Sequence, residues 1–392
     1  MSNTFRQRKD DMAKKKITVL GAGMVGAVMA LDLAAEEQFQ VTIADRDPEA
    51  LSRVRAKARL ETIEADLSRV EKIRELIKDA DLVVGAVPGF LGFQTLKTVI
   101  ECKKNFCDIA FMPEDFLQLD ALAKQNGVTA IVDCGVAPGM SNLILGKYGS
   151  EYQTFEEALI MVGGLPRVRT WPYEYKAPFS PIDVIEEYLR PARYVRDGKI
   201  VTMPALSEPE LVNLPGVGTL EAFNTDGMRS LLFTIKCPNM KEKTLRYPGH
   251  IEIMRILRET GFLSYDPIEV KGSKIAPIDL TTKLLFPIWK AKPGEEEFTV
   301  MRVQTTGIRD GKRTRNTYDL LDFTDAKTGF SSMARTTGFP NVIMARQVLS
   351  GAFTRTGVFP PECFGGDKKV FQALTDGLKQ RGVVFNHREE VL

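Results

Sequence analysis

The stretch Ile17-Thr18-Val19-Leu20-Gly21-Ala22-Gly23-Met24-Val25-Gly26 decides the fold of this chain. Its four apolar residues predict a short buried strand, which leads directly into a glycine-rich turn and an Ala/Leu-rich helix. A second predicted strand over 40–44 ends at Asp45, 19 positions after Gly26. Strand, G-x-G-x-x-G, helix, strand and acid in this order are typical of a dinucleotide-binding βαβ unit; a glycine-rich strand–helix turn without a ligand is the alternative.

Each glycine of this motif has its own physical reason. Gly21 permits the tight turn, Gly23 lets the backbone approach a pyrophosphate, and Gly26 lets the helix pack closely on the strand. The N–H groups and the positive dipole end of the helix then hold the anion. The Asp45 carboxylate accepts hydrogen bonds from an adenine-ribose diol and repels a 2′-phosphate, whereas Arg46 could stack on adenine or tolerate a phosphate. The motif therefore predicts NAD as the cofactor, with NADP as the alternative.

Further cofactor candidates follow later strands of the same predicted sheet. Asp66 follows the third strand, where it could lie beside the adenine or cap the helix that begins near Ser68. Val87 and Pro88 end the fourth strand, at the edge of the sheet where nicotinamide and substrate meet in such folds. The candidate cofactor residues are Gly21, Ala22, Gly23, Met24, Val25, Gly26, Asp45, Arg46, Asp66, Val87, Pro88 and Val136.

The alternation of strands and helices continues to about residue 132 and then stops. Six strands with helical crossovers predict a Rossmann-type, doubly wound parallel sheet. From residue 155 the predicted strands are longer and more alternating, and Arg309-Asp310-Gly311-Lys312 is typical of a hairpin turn. The predicted fold class is α/β, with a C-terminal α+β domain whose mixed sheet is largely antiparallel. We predict a disordered tail over 1–15, an NAD-binding domain over 16–140, a substrate-binding and dimerisation domain over 141–334, and a return to the first domain over 335–392.

Composition and charge exclude several classes of function. The formal net charge is +2, and residues 1–16 hold six Lys or Arg and two Asp, so the remainder carries −2. That remainder is not basic enough for a nucleic-acid-binding face, which predicts no nucleic-acid partner. A signal-peptide core and an apolar run long enough to span a bilayer are both missing from the sequence, which predicts no membrane partner.

The numbers of cysteines and histidines limit the kinds of site that this chain can form. The five cysteines are odd in number and form no CxxC pair, as expected of reduced thiols in a cytoplasmic protein. The chain has only two histidines, which is few for a histidine-based metal site or for a Ser-His-Asp triad. We therefore predict no metal.

Hydrophobic periodicity begins only at Ile17. We therefore expect deletion of residues 1–11 to leave melting temperature and activity unchanged.

Five blocks of the sequence resemble the saccharopine dehydrogenase family, in the family's order between about residues 16 and 385. The blocks are Cys134-Gly-Val-Ala-Pro-Gly-Met-Ser-Asn142, Val162-Gly-Gly-Leu-Pro166, Leu220-Glu-Ala-Phe-Asn-Thr-Asp-Gly227, Thr244-Leu-Arg-Tyr-Pro-Gly-His250 and Gly357-Val-Phe-Pro-Pro-Glu362. Within the family the chain is most similar to the L-lysine 6-dehydrogenase branch. Saccharopine reductases typically carry Asp-Pro-Gly-Ile-Asp-His where this chain reads Ala137-Pro-Gly-Met-Ser-Asn142, so the acid and the histidine are missing.

The resemblance implies NAD(P)-dependent chemistry at a C–N bond, a Rossmann domain followed by a mixed α/β domain, and a homodimer. In the lysine branch, the carbon that bears the 6-amino group loses a hydride to the nicotinamide, and the imine is hydrolysed or cyclises to piperideine-6-carboxylate. Because the cofactor carries out the difficult step, the protein has to supply orientation and electrostatics. It needs a group for the α-carboxylate, an acid for the α-ammonium and a route for the ε-ammonium proton.

Arg246 is the candidate for the α-carboxylate, because a guanidinium matches a carboxylate bidentately; a surface arginine in the turn before Pro248 is the alternative. Glu174 and Tyr175, in a proline-flanked loop, are candidates for binding the amine, with Glu174 also a catalytic candidate; ordinary loop polarity is their alternative. His250 is the candidate proton relay near neutral pH, or else a histidine with a satisfied structural role.

Three residues complete the set of candidates in the second domain. Asn224 and Thr225 could line the substrate site, although Asn224-Thr225-Asp226-Gly227 is also a common turn sequence. Glu221 is a weaker candidate for the catalytic base.

Three functions follow from these residues. The leading one is NAD-dependent oxidative deamination of L-lysine at its 6-amino group. The second is a related oxidoreductase that acts on saccharopine or carboxynorspermidine. The third, from another class, is a non-catalytic NAD-binding regulatory protein. Polar residues at the positions of the family motifs, among them Arg246, His250 and Glu174, argue against the third.

Overall fold

The computed structural model describes residues 14–292 and 294–392, so residues 1–13, most of the predicted tail, lie outside the described part of the chain. The chain divides into two compact units. The first comprises the residues as far as Val132 together with Asn341–Val358, and the second comprises Asp133–Pro340 and Phe359–Leu392. The segment predicted over 335–392 is therefore shared between the two units, because its last strand pairs with a strand of the second unit.

The elements alternate regularly as far as residue 131. They are β1 (Lys15–Leu20), α1 (Met24–Ala34), β2 (Phe39–Asp45), α2 (Pro48–Arg55), β3 (Glu61–Glu64), α3 (Val70–Ile77), β4 (Leu82–Gly85), α4 (Gly89–Glu101), β5 (Asn105–Asp108), a 3₁₀ helix (Phe116–Leu119), α5 (Asp120–Asn126) and β6 (Thr129–Ile131). The elements that follow are α6 (Met140–Glu151), β7 (Thr154–Pro166), α7 (Pro181–Leu189), β8 (Ala192–Arg196), β9 (Lys199–Met203), β10 (Glu210–Leu214), β11 (Gly218–Asn224), α8 (Leu231–Thr234), β12 (Asn239–Arg246), α9 (His250–Glu259), β13 (Ile268–Val270), β14 (Ser273–Ile275), α10 (Pro277–Trp289), β15 (Glu297–Arg309), β16 (Lys312–Phe323), α11 (Ser332–Leu349), β17 (Gly357–Phe359), a 3₁₀ helix (Pro361–Cys363), α12 (Lys368–Gln380) and β18 (Phe385–Val391).

The first unit is built on a seven-stranded sheet of order β17-β6-β5-β4-β1-β2-β3. Strand β1 pairs in parallel with β2 and with β4, which brings Val19 opposite Ile43 and Val84. All three side chains are fully buried, as expected of a parallel sheet. The predicted Rossmann sheet is confirmed, and β17 adds a seventh strand to the six that were predicted.

The second unit contains a nine-stranded mixed sheet. Its main path is β10-β11-β12-β7-β15-β16-β18, with β8 paired to β12 and β9 paired to β8. Only β12 and β7 pair in parallel among the described strands of this sheet. The predicted hairpin turn joins β15 to β16, with Asp310 and Gly311 both at positive φ, as a two-residue type I′ turn requires. The predicted α+β domain with a largely antiparallel sheet is confirmed.

The two faces of β12 have different surroundings. Successive residues of a strand point to opposite faces, so Leu245 faces an apolar cluster with Leu165 and Leu220. Glu242, Thr244 and Arg246 lie at alternate positions of the strand and share the face opposite to that of Leu245. That face lies against a second cluster, whose largest members are Tyr175, Tyr188, Phe223 and Trp289.

Within residues 14–292 and 294–392, none of the helices combines the length and the apolar composition that a membrane span requires.

Candidate functional site

The glycine turn after β1 has the geometry that its sequence predicts. Gly21 has a φ of +107°, and a Cβ atom there would lie 2.5 Å from the carbonyl oxygen of Ala86. A Cβ at Gly26 would lie 2.1 Å from the carbonyl oxygen of Gly21, so the helix packs directly on the turn. At Gly23, by contrast, a Cβ would have no neighbour within 4 Å. The open side of the turn is therefore at Gly23, the N-cap residue of α1, where an anion fits against the helix N-terminus.

Asp45 connects the end of β2 to this turn. Its Oδ2 accepts a hydrogen bond from the Ala22 N–H at 2.6 Å, and its Oδ1 accepts one from the Asp47 N–H at 2.9 Å. A carboxylate offers about four acceptor positions. Asp45 is partly exposed, so it retains acceptor capacity for a ribose diol. The neighbouring Arg46 is exposed.

The other cofactor candidates differ in exposure. Met24 is exposed and Val25 is partly exposed, while Val87 is buried and Pro88 precedes α4. Asp66 is exposed and accepts hydrogen bonds from the backbone N–H and the hydroxyl of Ser68, at 3.0 and 2.6 Å.

These contacts put Asp66 in the turn that leads into α3, but Asp66 does not cap that helix, because the N-cap residue is Arg69 and no side chain caps it. The exposure of Asp66 leaves the adenine alternative open. Val136 is a buried residue of the second unit.

Replacing Asp45 with serine is expected to narrow or invert a preference for NAD over NADP, because serine no longer repels a 2′-phosphate. The ratio of the NADP dissociation constant to the NAD dissociation constant should fall by about tenfold. Dissociation constants of both reduced cofactors, measured by fluorescence titration, check this result. Asp47→Ser is the matched control, since Asp47 caps α2 by accepting from the Glu49 N–H and serine retains that function. An unmodified protein that prefers NADP would contradict the role given to Asp45.

Arg246, at the end of β12, lies in a buried polar network of the second unit. Its Nη2 donates to Glu187 Oε2 at 2.8 Å and to the Tyr175 hydroxyl at 3.4 Å, and its Nε donates to the Tyr188 hydroxyl at 3.2 Å. The guanidinium also stacks over the Tyr175 ring, 4.6 Å from its centroid. Arg246 is 2% exposed, so the alternative of a surface arginine does not hold.

The hydrogen bonds around Tyr188 determine the protonation of His250. Because Arg246 can only donate, the Tyr188 oxygen accepts from it, and its own O–H is left to donate to His250 Nε2 at 3.0 Å. The proton of the neutral imidazole is then on Nδ1, which donates to the Tyr173 carbonyl at 2.8 Å. Burial and the positive charge of Arg246 lower the pKa of His250 to about 3. The contacts of His250 are those of a satisfied structural histidine, and its role as a proton relay stays a prediction.

A buried acid, Glu242, lies two residues before Thr244 on the same face of β12. Thr225 donates to Glu242 Oε2 at 2.5 Å, and the hydroxyls of Thr225 and Thr244 lie 2.8 Å apart. Burial raises the pKa of Glu242 to about 8, and the nearby carboxylates of Glu187 and Asp226 add to that rise. A carboxyl group with such a pKa can exchange a proton near neutral pH, as a general acid or base does.

The remaining predicted residues of the second unit have other partners. Glu174 forms a partly exposed ion pair with Arg169. The Asn224 amide donates to Ser207 and Glu208, at 3.1 and 3.2 Å, and not to the partners of Thr225. Glu221 accepts from the N–H of Gly249, the N-cap residue of α9. The structure thus brings together Arg246, Tyr175 and His250. Thr225 instead contacts Glu242 and Thr244, on the same face of β12 as Arg246.

Sequence reasoning missed Glu187, Tyr188 and Glu242. The signal for Glu242 is present in Lys241-Glu242-Lys243-Thr244-Leu245-Arg246, because strand alternation assigns an acid to the same face as Arg246. Glu187 and Tyr188 meet Arg246 across 59 and 58 positions of sequence, and no local pattern indicates that contact.

A second buried carboxyl group holds the blocks Cys134–Asn142 and Gly357–Glu362 together. Glu362 accepts from the Asn142 amide at 3.0 Å and from the hydroxyls of Ser230 and Thr234 at 2.5 and 2.8 Å. Asn142 also accepts from the Gly139 N–H at 3.2 Å. Asn142, which stands where saccharopine reductases typically carry histidine, therefore has a structural role within the second unit.

The described residues contain no group of three or more His, Cys, Asp or Glu side chains arranged to hold a metal ion.

Replacing Glu242 with glutamine is expected to flatten the dependence of stability on pH. The folded state keeps a proton up to about pH 8, whereas the unfolded chain releases it near the ordinary value of 4.5. The stability contributed by neutral Glu242 is therefore full below pH 4.5 and is lost as the pH rises towards 8. The free energy of unfolding is measured with urea at pH 5 and at pH 8. Between these two pH values the wild type should lose about 2–4 kcal/mol more of it than Glu242→Gln does.

The control for this experiment is Glu252→Gln, because the Glu252 side chain is 66% exposed and its substitution alters no buried carboxyl group. Equal changes in the wild type and in Glu242→Gln would mean that Glu242 ionises normally in the folded protein.

Family models match both units of the chain. The model described as the saccharopine dehydrogenase NADP binding domain matches residues 17–131, and the model described as the saccharopine dehydrogenase C-terminal domain matches residues 135–383.

Individual relatives are distant but cover most of the chain. The mitochondrial alpha-aminoadipic semialdehyde synthase of Rattus norvegicus is 23% identical over 96% of this chain and 48% of its own length, so the chain spans about half of that relative. The carboxyaminopropylagmatine dehydrogenase of Synechocystis is 23% identical, over 94% of this chain and 98% of that protein. The solved structure of apo saccharopine dehydrogenase (L-Glu forming) from Saccharomyces cerevisiae has a TM-score of 0.78 at 20% identity and covers 96% of this chain and 100% of that one, a likeness in fold.

Proposed function

This chain belongs to the saccharopine dehydrogenase family, and on that premise we propose that it is an oxidoreductase that oxidises a C–N bond of an amino-acid-derived amine. The observation that carries the proposal is the match of the family models to both units, since the chemistry requires a cofactor domain and a substrate domain. Residues 17–131 form a nicotinamide-dinucleotide-binding domain. Its glycine turn fits the pyrophosphate and Asp45 fits the ribose. When bound, the cofactor supplies the hydride acceptor.

We propose L-lysine, oxidised at its 6-amino group, as the substrate to test first. The Ala137–Asn142 block supports this choice, because it lacks the acid and the histidine typical of saccharopine reductases. In this proposal Arg246 binds the α-carboxylate and Tyr175 orients the guanidinium. Glu187 already pairs with Arg246, so the substrate carboxylate has to share or replace that partner.

The amine end of the substrate requires an acid and a proton acceptor. Glu174 and Tyr175 remain the sequence-based candidates for binding the amine, and His250 and Glu221 remain those for moving its proton. We add Glu242, because its carboxyl group changes protonation in the range where an ammonium ion must lose a proton. Oxidation then removes a hydride from the carbon that bears the neutral amine. Water adds to the imine, ammonia leaves, and the aldehyde cyclises with the α-amine to piperideine-6-carboxylate.

A second candidate reaction is oxidation of a secondary amine of the saccharopine type. The names of the relatives favour it, since the yeast structure is a saccharopine dehydrogenase and the Synechocystis relative is a carboxyaminopropylagmatine dehydrogenase. The two reactions differ in their leaving group. A primary amine releases ammonia, whereas a secondary amine releases a second amine or amino acid.

The experiment is a substrate panel at alkaline pH that follows both NADH absorbance and ammonia. L-Lysine should yield both products in equal amounts, and saccharopine should yield NADH without ammonia if it is the substrate. Turnover of neither compound, with intact binding of NADH, would contradict the proposal and favour the non-catalytic NAD-binding protein. The Gly23→Ala variant controls for NADH formed by other enzymes in the preparation.

A further inference from the structure

The ion pair between Arg246 and Glu187 joins a buried cation to an anion that solvent still reaches. Arg246 Nη2 donates to Glu187 Oε2 at 2.8 Å, and the two side chains are 3% and 19% exposed, respectively. A buried ion pair contributes little net stability, because both charges lose their hydration when the chain folds. Stability alone therefore does not account for these two charges at the end of β12.

Hydrogen-bonding capacity remains on both members of the pair. A guanidinium has five N–H groups. Four of those of Arg246 are used, since Nε donates to the Tyr188 hydroxyl, Nη1 to the Leu245 carbonyl, and Nη2 to Glu187 and to the Tyr175 hydroxyl. Among the described residues, the second N–H of Nη1 and the Oε1 atom of Glu187 have no hydrogen-bond partner. The pair thus offers one further donor on its cation and one further acceptor on its anion.

We infer that Arg246 and Glu187 together bind the zwitterionic α-amino-acid end of the substrate, with the α-ammonium donating to Glu187. The inference rests on the proposed function, which assigns the α-carboxylate to Arg246. The two charges of an α-amino-acid end are attached to one carbon atom, and the two charges of the pair are in direct contact. The carboxylate of the substrate therefore meets the guanidinium while its ammonium meets the carboxylate of Glu187.

This exchange of partners keeps every charge paired. The substrate carboxylate accepts from the remaining N–H of Arg246, and the α-ammonium donates to the remaining oxygen of Glu187. A ligand that has only the carboxylate would bring a second anion beside Glu187 without a compensating cation. A ligand that has only the ammonium would bring a second cation beside Arg246. Because an unpaired charge is costly in a buried site, the pair selects against both kinds of ligand.

The contacts of the two acids favour Glu187 over Glu174 for this role. Glu174, which the sequence suggests for binding the amine, pairs with Arg169, and the Arg169 guanidinium lies 4.8 Å from the centroid of the Tyr247 ring. An acid that binds the α-ammonium must lie beside the group that binds the α-carboxylate, because both groups belong to the same carbon atom. Glu187 meets this requirement through its direct contact with Arg246.

Isothermal titration calorimetry of the full chain, saturated with its oxidised cofactor, tests the inference with L-norleucine and hexanoate. These two ligands differ only in the α-ammonium, and neither has the 6-amino group that the proposed reaction oxidises. Wild type should bind L-norleucine at least about a hundredfold more tightly than hexanoate.

Glu187→Gln should affect the two ligands in opposite directions. L-Norleucine should bind at least about thirtyfold more weakly, because its ammonium loses the carboxylate partner. Hexanoate should bind more tightly than to wild type, because no anion then competes for Arg246. A purely structural role of Glu187 would weaken both ligands alike. Glu186→Gln is the matched control and should bind both ligands as wild type does, since Glu186 pairs with Arg190 and not with Arg246.

Equal affinity of wild type for the two ligands, binding of neither, or an equal loss of both in Glu187→Gln would each overturn the inference. If Glu187→Gln fails to fold, Glu187→Asp replaces it. Aspartate keeps the charge but is one methylene shorter, so the preference for L-norleucine over hexanoate should fall by about tenfold, and an unchanged preference would overturn the inference.

Turnover of L-lysine is measured separately. Selective binding of L-norleucine without turnover of L-lysine would support the role of Glu187 and contradict lysine as the substrate. Turnover of L-lysine without any preference for L-norleucine over hexanoate would overturn the inference alone.

Discussion

Replacing Arg246 with alanine is expected to lower the free energy of unfolding by about 3–5 kcal/mol. The guanidinium supplies hydrogen bonds to Glu187, Tyr175 and Tyr188, and the substitution leaves those buried oxygens without their donor. Removal of one member of a buried ion pair costs more than the pair contributes, because the remaining charge is desolvated and unpaired. Urea unfolding measures this loss. Arg255→Ala is the matched control, since its ion pair with Glu252 is exposed and contributes little.

The same substitution tests the proposed role of Arg246 in substrate binding. Loss of the α-carboxylate partner should lower kcat/KM for L-lysine by about 2–4 kcal/mol of transition-state binding, or roughly thirtyfold to several hundredfold. NADH affinity should change little, because the glycine turn belongs to the first unit. Lysinamide, which lacks the carboxylate, should be a poor substrate for wild type and lose little more in the variant. Equal losses with lysine and lysinamide would limit Arg246 to a structural role.

A double variant separates the two effects further. In Arg246→Met combined with Glu187→Met, no unpaired charge remains, so much of the lost stability should return. Activity towards lysine should not return if Arg246 binds the carboxylate. Recovery of both properties would contradict that role.

Replacing Gly26 with alanine is expected to raise the dissociation constant of NADH more than a hundredfold and to destabilise the first unit by about 2–4 kcal/mol. The added Cβ would stand 2.1 Å from the Gly21 carbonyl oxygen and 3.0 Å from the Ala86 Cβ. One neighbour belongs to the glycine turn itself and the other to the residue that follows β4, so the helix must move away from the sheet. Fluorescence titration with NADH and thermal unfolding measure the two effects.

Gly23→Ala separates affinity from stability at the same turn. Its Cβ would meet nothing within 4 Å, so stability should stay within about 1 kcal/mol of wild type. The methyl group would nevertheless occupy the space through which a pyrophosphate approaches the backbone, and NADH should bind about ten- to a hundredfold more weakly. Binding of NADH to Gly23→Ala as tight as to wild type would show that the pyrophosphate lies elsewhere.

The first unit could be predicted almost completely from local pattern. Strand β1, its glycine turn, helix α1 and strand β2 follow one another within about 30 residues, and the conformation of the turn is set by Gly21 and Gly26 themselves. The helix start at Asp47-Pro48 is equally local, because the Asp47 side chain caps the N–H of Glu49 only two residues away. Where the structure differs from the prediction, as in the division of residues 335–392, the difference depends on pairing between β16 and β18.

In the second unit the sequence by itself determined which residues are chemically able to bind a substrate or to transfer a proton. The tertiary structure decided which of these residues are in contact with one another. Arg246, Tyr175, His250 and Thr225 stand out in the sequence because of their residue types and motifs. Their partners Glu187, Tyr188 and Glu242 do not, because charged and aromatic residues are common and a contact across 58 or 59 positions has no local signature. Burial is also decided by tertiary packing. It moves the pKa of Glu242 to about 8 and that of His250 to about 3, because the folded chain removes the water that would otherwise stabilise their charged forms.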